Sequence, residues 1–226
     1  MSFYLYLNLV IIAFPLVFSF DRRIRFYSKK RPFLIALALV GVFFVGWDVL
    51  ATCRGHWSFN PSYVGRTKLL GLPLEEMLFF VTVPFSCLFV FESIIHFFGD
   101  TRLFSPNKWP FGGLGFLLIA ISFGFFDKEY TFLAILSVGL TMLFVSLVNI
   151  RIFSSRAYWI YIVVTLFLFL IFNFILTYLP VVEYSSSAIS NIRVITIPIE
   201  DFFFNFSMLT AYLTVYLWAS GNLRSK

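Results

Sequence analysis

Long apolar segments alternate with short polar connections along the whole chain. About 20 consecutive apolar residues are needed to cross the hydrocarbon of a bilayer as a helix. Seven segments approach or exceed that length, although the fourth is short for a full crossing. They are roughly Tyr4–Phe20, Phe33–Ala51, Pro73–Ile95, Gly112–Phe126, Tyr130–Ile150, Tyr158–Leu179 and Pro198–Ala219. The pattern predicts an all-α integral membrane protein with seven transmembrane helices.

Basic residues are unevenly divided between the two sets of connections. Seven crossings place the first, third and fifth connections and the C-terminal tail on one side, which carries 12 of the 17 Lys and Arg residues. Cytoplasmic connections are enriched in Lys and Arg. We therefore expect a plasma-membrane protein with its N-terminus outside and its C-terminus in the cytoplasm. The first segment has basic residues after it and none before it, which is typical of a retained span rather than a cleaved signal peptide.

Two short motifs stand at the starts of the third and seventh segments. Each contains a proline that is followed by two adjacent acids, Glu75 and Glu76 in the first motif and Glu200 and Asp201 in the second. Proline suits the first position of a helix, and acidic side chains suit the positive end of the helix dipole. An acid at a helix start is often only a cap. Four acids at the starts of membrane helices nevertheless indicate function, because inserting a carboxylate into a bilayer costs about 2.5–3.5 kcal/mol of free energy.

The two motifs belong to an internal repeat. Glu75 and Glu200 are 125 residues apart, and the same offset aligns Arg31 with Arg156, Asp48 with Asn173, Thr52 with Thr177, Lys68 with Arg193, and Pro73 with Pro198. We expect two three-helix repeats, residues 1–96 and 130–226, joined by a linking segment, residues 97–129, that contains the fourth span. Three spans and one linking span make the repeats parallel, related by an axis along the membrane normal.

The composition agrees with a membrane protein and excludes several other classes. Of the 226 residues, 60% are hydrophobic and 12% are charged. The net charge of +6 lies between apolar segments, so we expect no nucleic-acid partner. Cys53 and Cys87 form neither a disulfide framework nor a metal spacing. The chain has no glycine motif for dinucleotides or phosphates and no metal-ligand spacing, and we expect no metal and no cofactor.

The four motif acids indicate acid–base chemistry in an apolar pocket. In a buried cluster, one carboxyl group can stay protonated while its neighbours stay ionised. Such a pocket can protonate a lipid-soluble alkene, stabilise the resulting carbocation and then remove a proton. We expect Glu75 and Glu200 to form this cluster with the help of Glu76 and Asp201.

Further residues are expected in the same layer. Asp48 and its counterpart Asn173 are expected to contribute hydrogen bonds to the substrate pocket. Phenylalanines after the motifs ordinarily face lipid or other helices, but a subset would offer π faces to a cation. The candidates are Phe79, Phe80, Phe203 and Phe204. By contrast, Glu92 is expected at the inner membrane interface and His56 in a solvated loop.

The motif residues resemble those of the membrane-integral lycopene cyclases. The resemblance rests on Phe59-Asn60-Pro61 through Leu72-Pro73-Leu74-Glu75-Glu76-Met77-Leu78-Phe79-Phe80 and on Ile197-Pro198-Ile199-Glu200-Asp201-Phe202-Phe203-Phe204. It covers nearly the whole chain, in the order of the family's fused form. It implies cyclisation of lycopene, a lipid-soluble carotenoid, to β-ionone rings, giving γ- and β-carotene. It also implies that the four motif acids are catalytic and that no flavin takes part.

Two other classes share part of this pattern. A related enzyme that hydrates carotenoid ends, or cyclises another carotenoid, would use similar substrates and the same acids. Small sugar carriers of the SWEET type also have a parallel three-one-three layout, but they resemble one another in Pro-Gln motifs and mid-span prolines. The chain contains no Gln, and the positions 125 residues after Pro15 and Pro84 are Leu140 and Leu209. The cyclase interpretation agrees best with the sequence.

Overall fold

Helices make up most of the protein. The computed structural model describes residues 1–221 and is 70% helical. Six helical segments are long and apolar enough to cross a membrane, as judged by length and composition: Phe26–Cys53, Leu74–Phe98, Lys108–Phe125, Glu129–Val148, Arg156–Tyr178 and Ile199–Ala219. The mostly helical class is therefore confirmed, with six candidate spans where seven are predicted. The predicted cytoplasmic C-terminus falls on residues 222–226, outside the described residues.

The first predicted span forms a shorter helix. α1 runs over Phe3–Phe18 and has 16 residues. At 1.5 Å per residue it is about 24 Å long, less than the roughly 30 Å of bilayer hydrocarbon. Its role as the first of seven spans stays a prediction.

The second span is one continuous helical segment of mixed geometry. A 3₁₀ turn at Phe26–Lys29 leads into α2 (Lys30–Ala36), a π-helical stretch at Leu37–Gly41, and α3 (Val42–Cys53). The remaining helices are α4 (Leu74–Phe98), α5 (Lys108–Ser122), α6 (Glu129–Val148), α7 (Arg151–Ser154), α8 (Arg156–Tyr178) and α9 (Ile199–Ala219).

α5 forms the fourth predicted span, but it begins earlier than predicted. It starts at Lys108 rather than Gly112, because the Asn107 side chain caps the helix by accepting the N–H of Trp109 at 3.1 Å. A 3₁₀ turn, Phe123–Phe125, extends it to a candidate span of 18 residues. Capping by a side chain thus supplies the length that the apolar pattern lacks.

Short strands occupy the loops before α4 and α9. β1 (Trp57–Phe59), β2 (Lys68–Leu69) and β3 (Leu72–Pro73) precede α4, whereas β4 (Val182–Tyr184), β5 (Arg193–Val194) and β6 (Ile197–Pro198) precede α9. The two hairpins have the same register: Lys68 pairs with Pro73, and Arg193 pairs with Pro198. All six strand ranges match at the 125-residue offset. The two loops are therefore alike in fold as well as in sequence.

The two loops also pair with each other. β1 and β4 are antiparallel, with Trp57 opposite Tyr184 and Phe59 opposite Val182. The central pair is Ser58 and Glu183, which are themselves 125 residues apart. The two strands therefore pair with their equivalent central residues opposite each other, which is the arrangement that a twofold relation produces.

Two helix prolines leave backbone carbonyls that other helices satisfy. A proline has no N–H, so the carbonyl four residues before it loses its helical partner. Ser86 donates a hydrogen bond to the carbonyl of Ile11, four residues before Pro15, at 3.1 Å. Tyr212 does the same for Phe80, four residues before Pro84, at 3.2 Å. These hydroxyls link α4 to α1 and α9 to α4, and they provide the pairing that a bilayer interior requires.

α5 packs against α6 through two glycines. A Cβ atom placed on Gly139 would lie 2.7 Å from Ile119 and 2.8 Å from the carbonyl oxygen of Gly115. A Cβ atom on Gly115 would lie 2.9 Å from the carbonyl oxygen of Gly139. Small residues at such a crossing allow the two backbones to approach closely.

We predict that Gly139→Leu weakens the α5–α6 contact, because the new side chain has no space between the helices. Overpacking of this kind costs about 1–3 kcal/mol. The measurement is the thermal unfolding midpoint of the purified protein in detergent. Gly113→Leu is the matched control, since nothing lies within 4 Å of a Cβ atom placed there. Equal midpoints for the two variants would contradict the prediction.

Candidate active site

The helices that carry the motif acids begin in the same way. Pro73 and Pro198 are the N-cap residues of α4 and α9, with φ angles of −57° and −58°. The sequence predicts each proline at the first helical position, but each lies one residue earlier, just before its helix. The acids occupy the second and third helical residues, where the helix dipole is positive. All four acids are buried.

The first acid of each motif holds the loop that precedes its own helix. A carboxylate oxygen of Glu75 accepts the backbone N–H of Gly65 at 2.8 Å. A carboxylate oxygen of Glu200 accepts the backbone N–H of Ser190 at 2.7 Å. Gly65 and Ser190 are 125 residues apart, so the two contacts are equivalent. These acids fasten the two loops to the starts of α4 and α9.

The same two acids also reach a second helix. The hydroxyl of Ser2, at the start of α1, donates to Glu75, and that of Thr131, at the start of α6, donates to Glu200. The other carboxylate oxygen of each acid is buried and has no hydrogen-bond partner within residues 1–221. Neither acid lines the apolar cavity whose wall includes Glu76 and Asp201. The catalytic role predicted for Glu75 and Glu200 stays a prediction.

The second acid of each motif faces one shared cavity. Glu76 and Asp201 both line it. The structure therefore brings the two motifs together through their second acids. Glu76 accepts a hydrogen bond from the hydroxyl of Tyr4, on α1, at 2.7 Å.

Asp201 has the richer set of partners. One of its carboxylate oxygens accepts the hydroxyl of Tyr130 at 2.7 Å. The other accepts the hydroxyl of Tyr184 at 2.7 Å and the side-chain amide of Asn173 at 2.8 Å. Hydrogen bonds to a charged carboxylate favour that charged form. Asp201 therefore accepts more hydrogen bonds than the other two acids that line the cavity.

Asp48 is a third acid in the cavity wall. It is 2% exposed, and one oxygen accepts the indole N–H of Trp57 at 2.7 Å. Its other oxygen is buried and has no hydrogen-bond partner among the described residues. Asp48 lies on α3, 125 residues before Asn173. The pair therefore contributes a carboxylate from one side and an amide from the other.

The cavity is elongated and mainly apolar. Its volume is about 440 Å³, within the usual range for small-molecule sites. Along α4 its lining extends from Glu76 to Val90. At 1.5 Å per residue these residues are about 21 Å apart. The cavity thus has three carboxylates at its loop end and mainly apolar side chains along the rest of its length.

Most of the predicted substrate residues lie in this wall. The predicted lining residues that do so are Phe79, Phe80, Phe204, Asp48 and Asn173. Phe203 does not line the cavity and packs instead against the apolar cluster that includes Ala51 and Tyr130. Neighbouring helical residues differ in direction by about 100°, so adjacent phenylalanines face different surroundings.

Apart from Asn173, the side chains that donate short hydrogen bonds to the cavity acids are tyrosines and a tryptophan that the sequence analysis does not identify. Tyrosines give little signal in a chain whose residues are 22% aromatic. Tyr4 and Tyr130 do share one clue, because each lies at the start of the first helix of its half. Tyr184 comes from β4, where burial and the neighbouring Asp201 charge raise the pKa of its hydroxyl well above the ordinary value. Tyr184 therefore remains a proton-bearing donor at neutral pH.

His56 is buried rather than solvated, which corrects its predicted position. Its Nε2 atom lies 2.6 Å from a carboxylate oxygen of Glu129, which also contacts Arg54 at 3.3 Å. The residues that follow His56 and Glu129 are Trp57 and Tyr130, two of the donors to cavity acids. The contact between His56 and Glu129 therefore fixes the start of α6 against the loop that carries Trp57.

Glu92 is buried within the protein, and its predicted position at the inner membrane interface stays a prediction. It is ion-paired with Lys29 and accepts a hydrogen bond from Tyr216 at 2.6 Å. It lies 16 residues beyond Glu76 on α4, or about 24 Å along the helix. This cluster joins α4, α9 and the start of the second span, away from the three cavity acids.

Comparison with known proteins identifies one family. The family model described as lycopene cyclase matches residues 1–94 and 127–219, which together form most of the chain. No curated protein and no solved structure matches. Within residues 1–221, no group of three or more His, Cys, Asp or Glu side chains is positioned to hold a metal ion.

We predict that Glu75→Ala releases the loop that Gly65 belongs to, because the carboxylate that accepts its N–H is removed. The measurement is amide hydrogen exchange of the 60–72 segment in detergent, where we expect faster exchange. Glu76→Ala is the matched control, since Glu76 faces the cavity and accepts its hydrogen bond from Tyr4. The prediction fails if Glu75→Ala leaves the exchange of this segment unchanged, or if Glu76→Ala speeds it equally.

Proposed function

Because the chain belongs to the lycopene cyclase family, we propose that its cavity closes the linear ends of lycopene into β-ionone rings. The products are monocyclic γ-carotene and bicyclic β-carotene, and the activity is that of an intramolecular lyase, a class of isomerase. The observation that carries this proposal is the meeting of three carboxylates at one end of an elongated apolar cavity. A linear hydrocarbon with a reactive end fits a cavity of this form.

The reaction begins with protonation of the terminal double bond of the end group. A protonated carboxyl group gives its proton to the less substituted carbon, which leaves a tertiary carbocation. The neighbouring double bond attacks this cation, and the new carbon–carbon bond closes a six-membered ring. A carboxylate then removes a proton from the ring. One proton enters and one leaves, so the product is an isomer of the substrate and no cofactor is required.

Glu76 is the proposed proton donor. It accepts a single hydrogen bond, from Tyr4, so its anionic form is less stabilised than that of Asp201. Asp201, with three neutral donors, is the proposed anion that stabilises the carbocation. Asp48 or Asp201 takes the final proton. General acid–base catalysis works best when donor and acceptor have different surroundings, and these acids meet that condition.

The first acids of the motifs have a supporting role in this proposal. Glu75 and Glu200 hold the loops that position Trp57 and Tyr184, the donors to Asp48 and Asp201. The proposal thus divides each adjacent pair into one acid that faces the substrate and one that fixes the loop. The aromatic rings of Phe79, Phe80 and Phe204 form the apolar wall and offer π faces to the cation.

We further propose that the chain consists of two parallel three-helix repeats, residues 1–96 and 130–226. The linking segment, residues 97–129, contains α5. Three observations support this arrangement. The strands match at one offset, β1 pairs with β4 about the midpoint of both, and the family model matches two segments on either side of α5. An axis along the membrane normal then brings both motifs to the same depth.

The proposed environment is the plasma membrane. Six apolar helices are compatible with an integral membrane protein, and the proposal adds α1 as a seventh crossing. The N-terminus and the three cavity acids then lie towards the outer face. The basic connection before α2 lies in the cytoplasm, in agreement with the positive-inside rule.

A carotenoid hydratase would use the same acids but would deliver water to the cation. The cavity wall is mainly hydrocarbon, which favours proton loss from the cation over capture by water. The family match gives no support to a sugar carrier. Analysis of the products separates all three possibilities, because only a cyclase yields ring-bearing hydrocarbons.

We predict that Glu76→Gln and Asp201→Asn each lower ring formation by about 10²–10⁴-fold, because neither amide can exchange the proton. The measurement is carotenoid content in a lycopene-producing host at matched protein levels. Glu75→Gln and Glu200→Gln are expected to retain more activity than the cavity variants. Glu183→Gln is the control, since Glu183 is exposed and outside the cavity.

Near-normal ring formation in both Glu76→Gln and Asp201→Asn would remove these acids from the mechanism. Absence of rings in the unaltered protein, when it is inserted and folded, would contradict the cyclase proposal itself. Accumulation of hydroxylated carotenoids would favour the hydratase.

The orientation gives a separate prediction. A topology reporter fused after Lys226 should be active only in the cytoplasm, and one fused after Lys128 should be active only outside. The reason is the excess of Lys and Arg in the connections that share a side with the C-terminus. The opposite pattern in both fusions would reverse the proposed orientation.

A further inference from the structure

The cavity opens at the surface of the protein beside α1. Val10 and Phe14 line the cavity, yet they are 44% and 62% exposed. The other lining residues are buried or partly buried. Val10 and Phe14 therefore mark the place where the cavity opens. Both belong to the apolar body of α1, so the opening faces hydrocarbon rather than water.

α8 forms the other side of this opening. Leu168, Phe169 and Phe172 line the cavity from α8, and both α1 and α8 pack against α4. At the loop end the two helices come together in an apolar cluster that includes Ile11 and Leu176. Val10 is next to Ile11 on α1, and Phe14 lies three residues beyond Ile11, farther from the start of the helix. The opening therefore begins beside that cluster and extends away from the three acids.

The corresponding place in the other half is filled. Phe44, Trp47 and Phe204 pack on one another there, with ring centroids 5.9, 5.1 and 5.3 Å apart. Their counterparts at the 125-residue offset are Phe169, Phe172 and Phe79, and all three of these line the cavity. The same positions thus all line the cavity in one half, whereas in the other half they form a packed aromatic cluster of which only Phe204 lines the cavity.

α6, the counterpart of α1, is covered as well. Only Tyr130 of this helix lines the cavity, and α6 packs against α5 and α9. Both motifs nevertheless supply an acid to the cavity. The acids therefore converge on one space, and that space opens on one side of the molecule.

We propose that one reaction cavity serves both ends of the substrate and that each end is admitted from the lipid through the opening between α1 and α8. This inference rests on the proposed cyclase function. The end group lies at the acids, the polyene follows α4, and the remainder of the chain leaves through the opening into the bilayer. A linear carotene is longer than the cavity, so its second end stays outside while the first reacts.

Two consequences follow for the reaction. Tryptophan placed at the opening should slow cyclisation without touching the acids. The monocyclic carotene should also leave the protein and turn round before its second ring forms, so it should exchange with carotene dissolved in the membrane.

The test uses the full chain in lipid vesicles that contain lycopene. We expect Val10→Trp on α1 and Leu168→Trp on α8, both at residues that line the cavity, each to lower the rate of ring formation by about tenfold, because added volume is poorly accommodated in a formed passage. Leu9→Trp and Phe167→Trp are the controls. These two residues lie next to the opening on the same helices, but they are exposed to lipid and do not line the cavity.

A second measurement follows isotope-labelled lycopene in vesicles that already hold unlabelled γ-carotene. Label should appear in the γ-carotene pool before it appears in β-carotene. Unchanged rates in both Val10→Trp and Leu168→Trp, with the unaltered protein active, would overturn the opening. Labelled β-carotene from the first time point, without label in the γ-carotene pool, would overturn the single cavity. If even the unaltered protein and the control variants form no rings, the proposed function fails, and this inference fails with it.

Discussion

Three carboxylates buried at the end of an apolar cavity are the constraint on which the surrounding arrangement depends. A carboxylate without partners is strongly destabilised when it is removed from water, so each acid needs hydrogen-bond donors close by. Those donors come from α1, α6, α8, β1 and β4. The ends of these five elements must therefore converge on the starts of α4 and α9. The donors to Glu76, Asp48 and Asp201 are hydroxyl, indole and amide groups, all of them neutral. A neutral partner stabilises an acid without fixing it as an anion. A lysine or arginine, by contrast, would fix the acid as an anion.

The loops before α4 and α9 make this convergence possible. Each loop folds back as a hairpin, is fastened to its helix by the first motif acid, and pairs with the other loop through β1 and β4. Trp57 and Tyr184, which are opposite each other in that pairing, donate to Asp48 and Asp201. The β1–β4 pairing therefore sets the distance between two donors that serve acids on different helices.

The sequence predicts the parts of this arrangement that depend on local pattern. Apolar length gives the helices after α1, the 125-residue offset gives the paired loops, and the proline-acid motifs give the buried acids. The sequence does not tell which acid of a pair faces the cavity. Neighbouring helical residues differ in direction by about 100°, but only the packing of the helix shows which of these directions leads to the cavity. The same uncertainty separates Phe204, which lines the cavity, from Phe203, which does not. The burial of His56 depends on Glu129, which is 73 residues away in the sequence.

The similarity of the two halves makes their differences informative. At equivalent positions one half has Asp48 and the other Asn173, so one half contributes an acid to the cavity wall where the other contributes an amide donor. Glu76 receives one tyrosine hydroxyl, whereas Asp201 receives two and an amide. An arrangement with identical halves would give its acids identical surroundings, and neither would be preferred as proton donor or as anion. Proton donation and cation stabilisation require unlike carboxyl groups in one space. In the proposed mechanism, the differences between the surroundings of Glu76 and Asp201 provide that inequality.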